Sequence, residues 1–140
     1  MRADLEIIQQ WVRPGHHILD LGCGDGTLLD FLQRELNATG FGLEINPDRI
    51  TTCMGKGVSV IEQNLDTQGL DNFDDGMFDV VLMPQALQAV RRPDKVIEEM
   101  LRVGREGIVT FPNFAHWRLR WGLALNGRMP ESNALPYKWY

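Results

Sequence analysis

The chain is 140 residues long, 44% hydrophobic and 24% charged, with a formal net charge of −5, which describes one domain large enough to bury a core. No apolar run reaches membrane-spanning length, and MRADLEII has acids where a signal peptide is expected to start basic; the negative balance opposes nucleic-acid binding, because a phosphate-holding surface is basic. Cys23 and Cys53 lack metal-ligand spacing and read as two buried thiols of a cytoplasmic protein rather than a disulfide.

Along the chain, Leu5, Ile8 and the pair Trp11 and Val12 recur at helical spacing, and Arg13-Pro14-Gly15 ends that helix. HILDL (residues 17–21) is a buried strand running into a glycine loop. Leu28, Leu29, Phe31, Leu32 and Leu36 mark the next helix, and TGFGLE (39–44) a second strand. Asn46 is a good N-cap with Pro47 at the first helical position, so a helix runs to about Met54. Residues 58–64 form a third strand, 78–83 a fourth, a helix opens at Pro93, and 107–111 form a fifth strand. This alternation predicts an α/β fold: a mostly parallel sheet with helices on both faces and a ligand site beyond the carboxyl ends of the strands.

The glycine loop lies at that end. Gly22, Gly24 and Gly26 are spaced GxGxG, whereas the dinucleotide fingerprint GxGxxG would place its third glycine where Thr27 stands. Asp20 and Asp25 bracket the loop, and negative charge there repels a pyrophosphate but favours an ammonium or sulfonium. S-adenosylmethionine is the ligand that suits this. Glu44 ends the second strand 18 residues after Gly26, where a carboxylate can accept both ribose hydroxyls. Asn64 and Asp66, after the third strand, are placed for the adenine edge. The candidate cofactor-binding set is Asp20, Gly22, Cys23, Gly24, Asp25, Gly26, Glu44, Ile45, Asn64, Leu65 and Pro84. Within that set Cys23 is read as packing; the competing reading is structural throughout: Asp20 caps the loop, Glu44 is a solvated strand end and the glycines only make a turn.

LDLGCGDG (19–26) resembles the first motif of the class I S-adenosylmethionine-dependent methyltransferases, and the resemblance runs from about Ile7 to Phe111. It implies a Rossmann-like methyltransferase fold with S-adenosylmethionine or S-adenosylhomocysteine as ligand. The family's seven strands would need an antiparallel hairpin after the fifth, and the chain shows no such pattern. Residues 1–112 are expected to form the ligand-binding domain and 113–140 a truncated aromatic and basic extension of it. No catalytic residue emerges. MPQALQAV (83–90) lacks both the Asn/Asp-Pro-Pro-aromatic motif and the Pro-Cys nucleophile, and Gln85 and Gln88 cannot serve as bases. His16 and His17 precede the first strand, at the wrong end of the sheet; His116 is on the correct side and is either a base or structural.

Charge is split between the two segments. Residues 1–112 carry 10 Lys/Arg against 18 Asp/Glu, and residues 113–140 carry 4 against 1. In the second segment Trp117, Trp121 and Leu125 share one helical face among Arg118, Arg120, Arg128 and Lys138. That stripe either covers the sheet or ligand pocket, or docks on a partner. The combination of LDLGCGDGTLL, FDVVLMPQALQAVRRPDKVIEEMLRVGREGIVTFPNFAHWRLR and GRMPESNALPYKWY resembles the methionine-biosynthesis MetW family. The resemblance implies a role in methionine synthesis beside the homoserine O-acyltransferase MetX. Two functions follow from it: an adenosyl-binding protein acting with MetX, or an active methyltransferase on an unidentified small-molecule acceptor.

Overall fold

The computed structural model describes residues 3–111 and 117–127. Helix α1 (Ala3–Trp11) leads into β1 (His17–Leu21), followed by α2 (Thr27–Leu36), β2 (Thr39–Glu44), α3 (Pro47–Gly55) and β3 (Val60–Glu62). A short α4 (Leu65–Gln68), β4 (Phe78–Pro84), a 3-10 turn (Leu87–Ala89), α5 (Pro93–Val103), β5 (Gly104–Thr110) and α6 (Trp117–Asn126) complete the order. The five strands pair in parallel in the order β3-β2-β1-β4-β5. The direction of travel reverses at β1, so a crevice opens between the ends of β1 and β4.

Each strand alternates its side chains between two buried layers. Ile18, Val80 and Leu82 pack with Leu5 and Ile8 from α1, Val12 just after it, and Leu28, Leu29 and Leu32 from α2. Leu19, Leu21, Val81 and Met83 face the other way, onto Val96, Met100 and Val103 of α5. Burial on both faces is why the central strands read as near-continuous apolar runs. The α/β sheet with helices on both faces is therefore the observed architecture.

Local signals set most boundaries. Asn46 Oδ1 accepts the N–H groups of Asp48 and Arg49 at 3.0 and 3.3 Å, and Pro47 starts α3. Three boundaries differ from the sequence expectation. Helix α1 ends at Trp11, which is 64% exposed, and Val12 just beyond it is buried. Strand β3 is confined to Val60–Glu62, because the Val58 N–H donates to Cys53 O and closes the end of α3 instead. Strand β5 starts at Gly104, directly after α5, and presents exposed Arg105 and Glu106 on a sheet edge.

At the amino end of the sheet, His17 stacks on Phe78 with ring centroids 5.1 Å apart and donates its backbone N–H to Asp79 at 2.9 Å. Both are far from the carboxyl ends. No antiparallel strand follows β5 among the described residues. The expected segment boundary at residue 112, and with it Phe114, His116, Arg128, Lys138 and LPYKWY, lies outside the described residues. Within α6, Trp117 and Trp121 are each 60% exposed and Leu125 75%, so the stripe is not core.

Candidate functional site

The loop between β1 and α2 is pinned from beneath. Gly22 and Cys23 both donate their N–H groups to Leu43 O on β2, at 2.9 and 3.0 Å. Two of its glycines answer to different constraints. Gly24, with φ +59°, has no atom within 4 Å of the place a Cβ would occupy, so its open side faces the cleft. Gly26, with φ +75°, would put a Cβ 2.9 Å from Cys53 Sγ, so it is required by packing between the loop and α3.

The cleft is lined by Asp20, Gly22, Cys23, Gly24, Asp25 and Pro84 from the expected set, together with Leu5, Thr27, Leu28 and Gln85. Asp20 is fully buried at its floor, and neither of its carboxylate oxygens has a hydrogen-bond partner among the described residues. Burial, and then the nearby Glu44 carboxylate, push the Asp20 carboxyl up to about 7. An unpaired carboxylate in a dry site is costly unless a cation meets it. Asp20 therefore does not cap the loop.

Asp25 is neutralised where it stands. Lys56 Nζ lies 3.0 Å from Asp25 Oδ2 and 2.8 Å from Thr27 Oγ1, and the Thr27 N–H donates to Asp25 Oδ1 at 3.1 Å. Partial burial pushes the Asp25 carboxyl up, but the bonds from Lys56 and Thr27 outweigh it and hold it at about 2. The acidic group left unpaired in the cleft is thus Asp20, and the bracketing pair is not equivalent.

Glu44 is 5% exposed and serves the loop. Its Oε2 accepts the Gly24 N–H at 2.9 Å, and Oε1 accepts the N–H groups of Ile45 and Asn46 at 2.9 and 3.0 Å. The Arg49 guanidinium lies 3.7 Å away. A carboxylate offers roughly four lone-pair sites, so one remains for an outside hydroxyl and a second hydroxyl needs Gly24 to let go.

Glu44, Ile45, Asn64 and Leu65 of the expected set are not among the residues that line this cleft. Ile45 is 57% exposed at the end of β2. Asn64 caps α4 by accepting the Asp66 N–H at 2.9 Å, and Asp66 Oδ1 accepts the Arg91 N–H at 2.8 Å. Leu65 packs against the α5 side of the core. Cys23 and Cys53 are free and buried, with sulfurs 4.0 Å apart. Burial, and for Cys23 next the Asp20 charge, push both thiols up, which suits packing rather than nucleophilic chemistry. Among the described residues no group of three His, Cys, Asp or Glu could hold a metal ion, and no helix is long and apolar enough to cross a membrane.

Sequence reasoning noticed Gln85 only as a side chain that cannot serve as a base. It lines the cleft in the left-handed region, with φ +55°. No glycine marks that turn, so the sequence carries no signal for it.

The fold matches known proteins. A methyltransferase of Archaeoglobus fulgidus described as S-adenosylmethionine-dependent superposes with a TM-score of 0.73 at 19% identity, over 93% of this chain and 60% of that one, a likeness in fold. A Haloferax volcanii methyltransferase, solved in complex with the Trm112 methyltransferase activator, is 27% identical over 66% of this chain and 42% of that one, with a TM-score of 0.58. The bifunctional methionine biosynthesis protein MetXA/MetW of Rhodopirellula baltica is 35% identical over 94% of this chain. The ubiquinone biosynthesis O-methyltransferase of Methylococcus capsulatus is 28% identical over 69% of it. The chain spans 22% and 42% of the lengths of those two relatives. The family model for methionine biosynthesis protein MetW matches residues 2–140, and the chain belongs to that family.

Proposed function

We propose that the chain binds S-adenosylmethionine or S-adenosylhomocysteine in the glycine cleft and acts in the cytoplasm, in methionine synthesis, together with a MetX-type homoserine O-acyltransferase. The observation that carries the ligand is Asp20: a buried carboxylate with two unpartnered oxygens on the floor of the cleft calls for a cation. The ammonium of an amino-acid arm, or a sulfonium, supplies one without the phosphate that a carboxylate would repel. Gly24 leaves room for close approach, Glu44 keeps one acceptor site for a ribose hydroxyl, and Ile45, Asn64 and Leu65 would flank the base.

When bound, S-adenosylmethionine supplies an electrophilic methyl group. Of the titratable groups lining the cleft, Asp25 is paired by Lys56, the Cys23 thiol is held neutral by burial, and the Asp20 carboxylate would be committed to the ligand's cation. This favours a binding role over methyl transfer. The joint action with MetX is supported by the Rhodopirellula baltica relative, whose name joins MetXA and MetW in one chain.

Calorimetric titration with S-adenosylhomocysteine, S-adenosylmethionine and NAD tests the ligand, and a repeat with the acyltransferase present tests the coupling. Tighter binding of NAD than of either adenosyl compound overturns the reading. Turnover of methyl-labelled cofactor, with and without the acyltransferase, would establish the methyltransferase alternative.

A further inference from the structure

The two buried thiols form a pair for which the adenosyl reading has no use. Cys23 belongs to the glycine loop and Cys53 to α3, 30 residues away, yet their sulfurs meet at 4.0 Å. Glycines on two sides clear the space. A Cβ on Gly42 of β2 would collide with the Cβ and Sγ of Cys23, and one on Gly26 would lie 2.9 Å from Cys53 Sγ. Among the described residues no third His, Cys, Asp or Glu joins them in a metal-holding group, so the chemistry that the contact supports is that of a dithiol.

The pair also ties the loop to α3. The Cys53 S–H donates to Gly24 O at 3.2 Å, at the most open residue of the loop. The backbone on either side is held elsewhere. Cys23 donates its N–H to Leu43 O, and Cys53 O accepts the N–H groups of Lys56 and Val58, all at 3.0 Å. The sulfurs of a disulfide are about 2.0 Å apart, so joining these two draws them together by about half their separation. Joining them also removes the S–H that holds the Gly24 carbonyl. Gly24, between two fixed anchors, is the residue left to move.

We propose that Cys23 and Cys53 form a reversible disulfide that lowers the affinity of the glycine cleft for its adenosyl ligand when peroxide is present. The effect on ligand rests on the adenosyl reading above; the cross-link does not. Hydrogen peroxide is the oxidant, and Cys23, 7% exposed against 0% for Cys53, meets it first. The Cys23 sulfur bonds to one peroxide oxygen, the O–O bond breaks, and the thiol proton leaves with the other oxygen as water. The Cys53 sulfur then attacks the Cys23 sulfenic acid, the S–O bond breaks, and the hydroxyl leaves with the Cys53 proton as a second water. Two thiols lose two electrons and two protons, and one peroxide becomes two waters. Burial disfavours both thiolates, so the reaction is slow and answers sustained oxidant rather than a brief pulse. A ligand that prefers the reduced loop must, by the same coupling, oppose the cross-link.

The test treats the full reduced chain with hydrogen peroxide and follows it by non-reducing peptide mass spectrometry and by calorimetric binding of S-adenosylhomocysteine. A linked Cys23–Cys53 peptide should form, and more slowly when S-adenosylhomocysteine is added first. The oxidised chain should bind that probe about tenfold more weakly, an ordinary size for coupling between two sites. Dithiothreitol should restore binding, which separates the disulfide from methionine sulfoxide, a lesion whose repair takes an enzyme. Reduced Cys53→Ser keeps a donor for Gly24 O, so it should bind like reduced wild type and yield no linked peptide. Peroxide-treated wild type with both thiols free, or with each oxidised separately, overturns the proposal. A linked peptide with unchanged S-adenosylhomocysteine affinity also overturns it, by showing that the loop does not read the bond. If the reduced chain binds no S-adenosylhomocysteine although the linked peptide forms, the adenosyl reading fails and the switch falls with it.

Discussion

Glu44 Oε2 accepts the backbone N–H of Gly24 at 2.9 Å, which ties the end of β2 to the most open point of the glycine loop. Removing the side chain in Glu44→Ala orphans three backbone donors at once. A loss of about 2–4 kcal/mol in folding stability is expected from urea unfolding. Glu44→Gln keeps one oxygen for Ile45 and Asn46 but sets an amide N–H against Gly24, so it should lose less stability while still weakening adenosyl binding. Equal stability of wild type and Glu44→Ala would show that the carboxylate is solvated rather than structural.

Asp20 makes stability depend on pH with an unusual sign for a carboxyl. Burial, with Glu44 second, raises it from 3.8 to about 7, so the folded chain holds a proton that the unfolded chain releases. Its favourable contribution is complete below pH 3.8 and is lost as pH rises through about 7. A shift of this size corresponds to roughly 4 kcal/mol. Asp20→Asn mimics the protonated carboxyl, so at pH 8 it should unfold at higher urea than wild type and should show little change between pH 5 and pH 8. The same variant should lose adenosyl affinity. A wild type that gains stability over that range would refute the assignment of the buried proton.

Gly24→Ala and Gly26→Ala separate ligand approach from packing. Both positions are left-handed, which alone costs about 1–2 kcal/mol for a residue with a Cβ. At Gly24 nothing else is met, so that cost should be the whole stability effect, accompanied by weaker adenosyl binding. At Gly26 the Cβ runs into Cys53 and Val58, and a total of about 3 kcal/mol or more is expected. Thermal unfolding of the pair should show the difference; equal losses would mean that α3 yields to the added methyl.

Trp117 and Trp121 are exposed to the same degree, and Arg118 lies over the Trp117 ring at 5.4 Å. The double change Trp117→Ala with Trp121→Ala should therefore alter stability by no more than about 1 kcal/mol. If the stripe docks on the acyltransferase, the same change should weaken that complex by at least about 2 kcal/mol while leaving adenosyl affinity intact. Loss of ligand with retention of the partner would make the stripe a lid.

The sheet was legible because its central strands are short apolar runs bounded by strong punctuation: Arg13-Pro14-Gly15 before β1, the glycines after it, and Asn46-Pro47 after β2. Edges were harder. Gly104, Arg105 and Glu106 look like a turn, yet they pair with β4 because an edge strand can leave charges in water. Helix α4, at four residues, is too short for any period to register. In the site, Asp20 and the glycines stood out by type and spacing. The employment of Glu44 by the loop, of Asn64 as a cap and of Lys56 opposite Asp25 depends on contacts between distant segments, which no local pattern encodes. The backbone turn at Gln85 is set by Thr110 and Gln88 and was equally invisible.

The two walls of the cleft come from chain segments that meet late. β1 brings Asp20 and the glycine loop, β4 brings Pro84 and Gln85, and the first bond between the two strands, from His17 to Asp79, spans 62 residues. β1, α2 and β2 can assemble from near neighbours, whereas docking β4 must close that long loop first. A ligand gripped from both sides has little to hold until the docking is complete. Such a ligand, if bound there, would act on the lifetime of the native sheet by slowing its opening and would leave the speed of assembly to the chain alone.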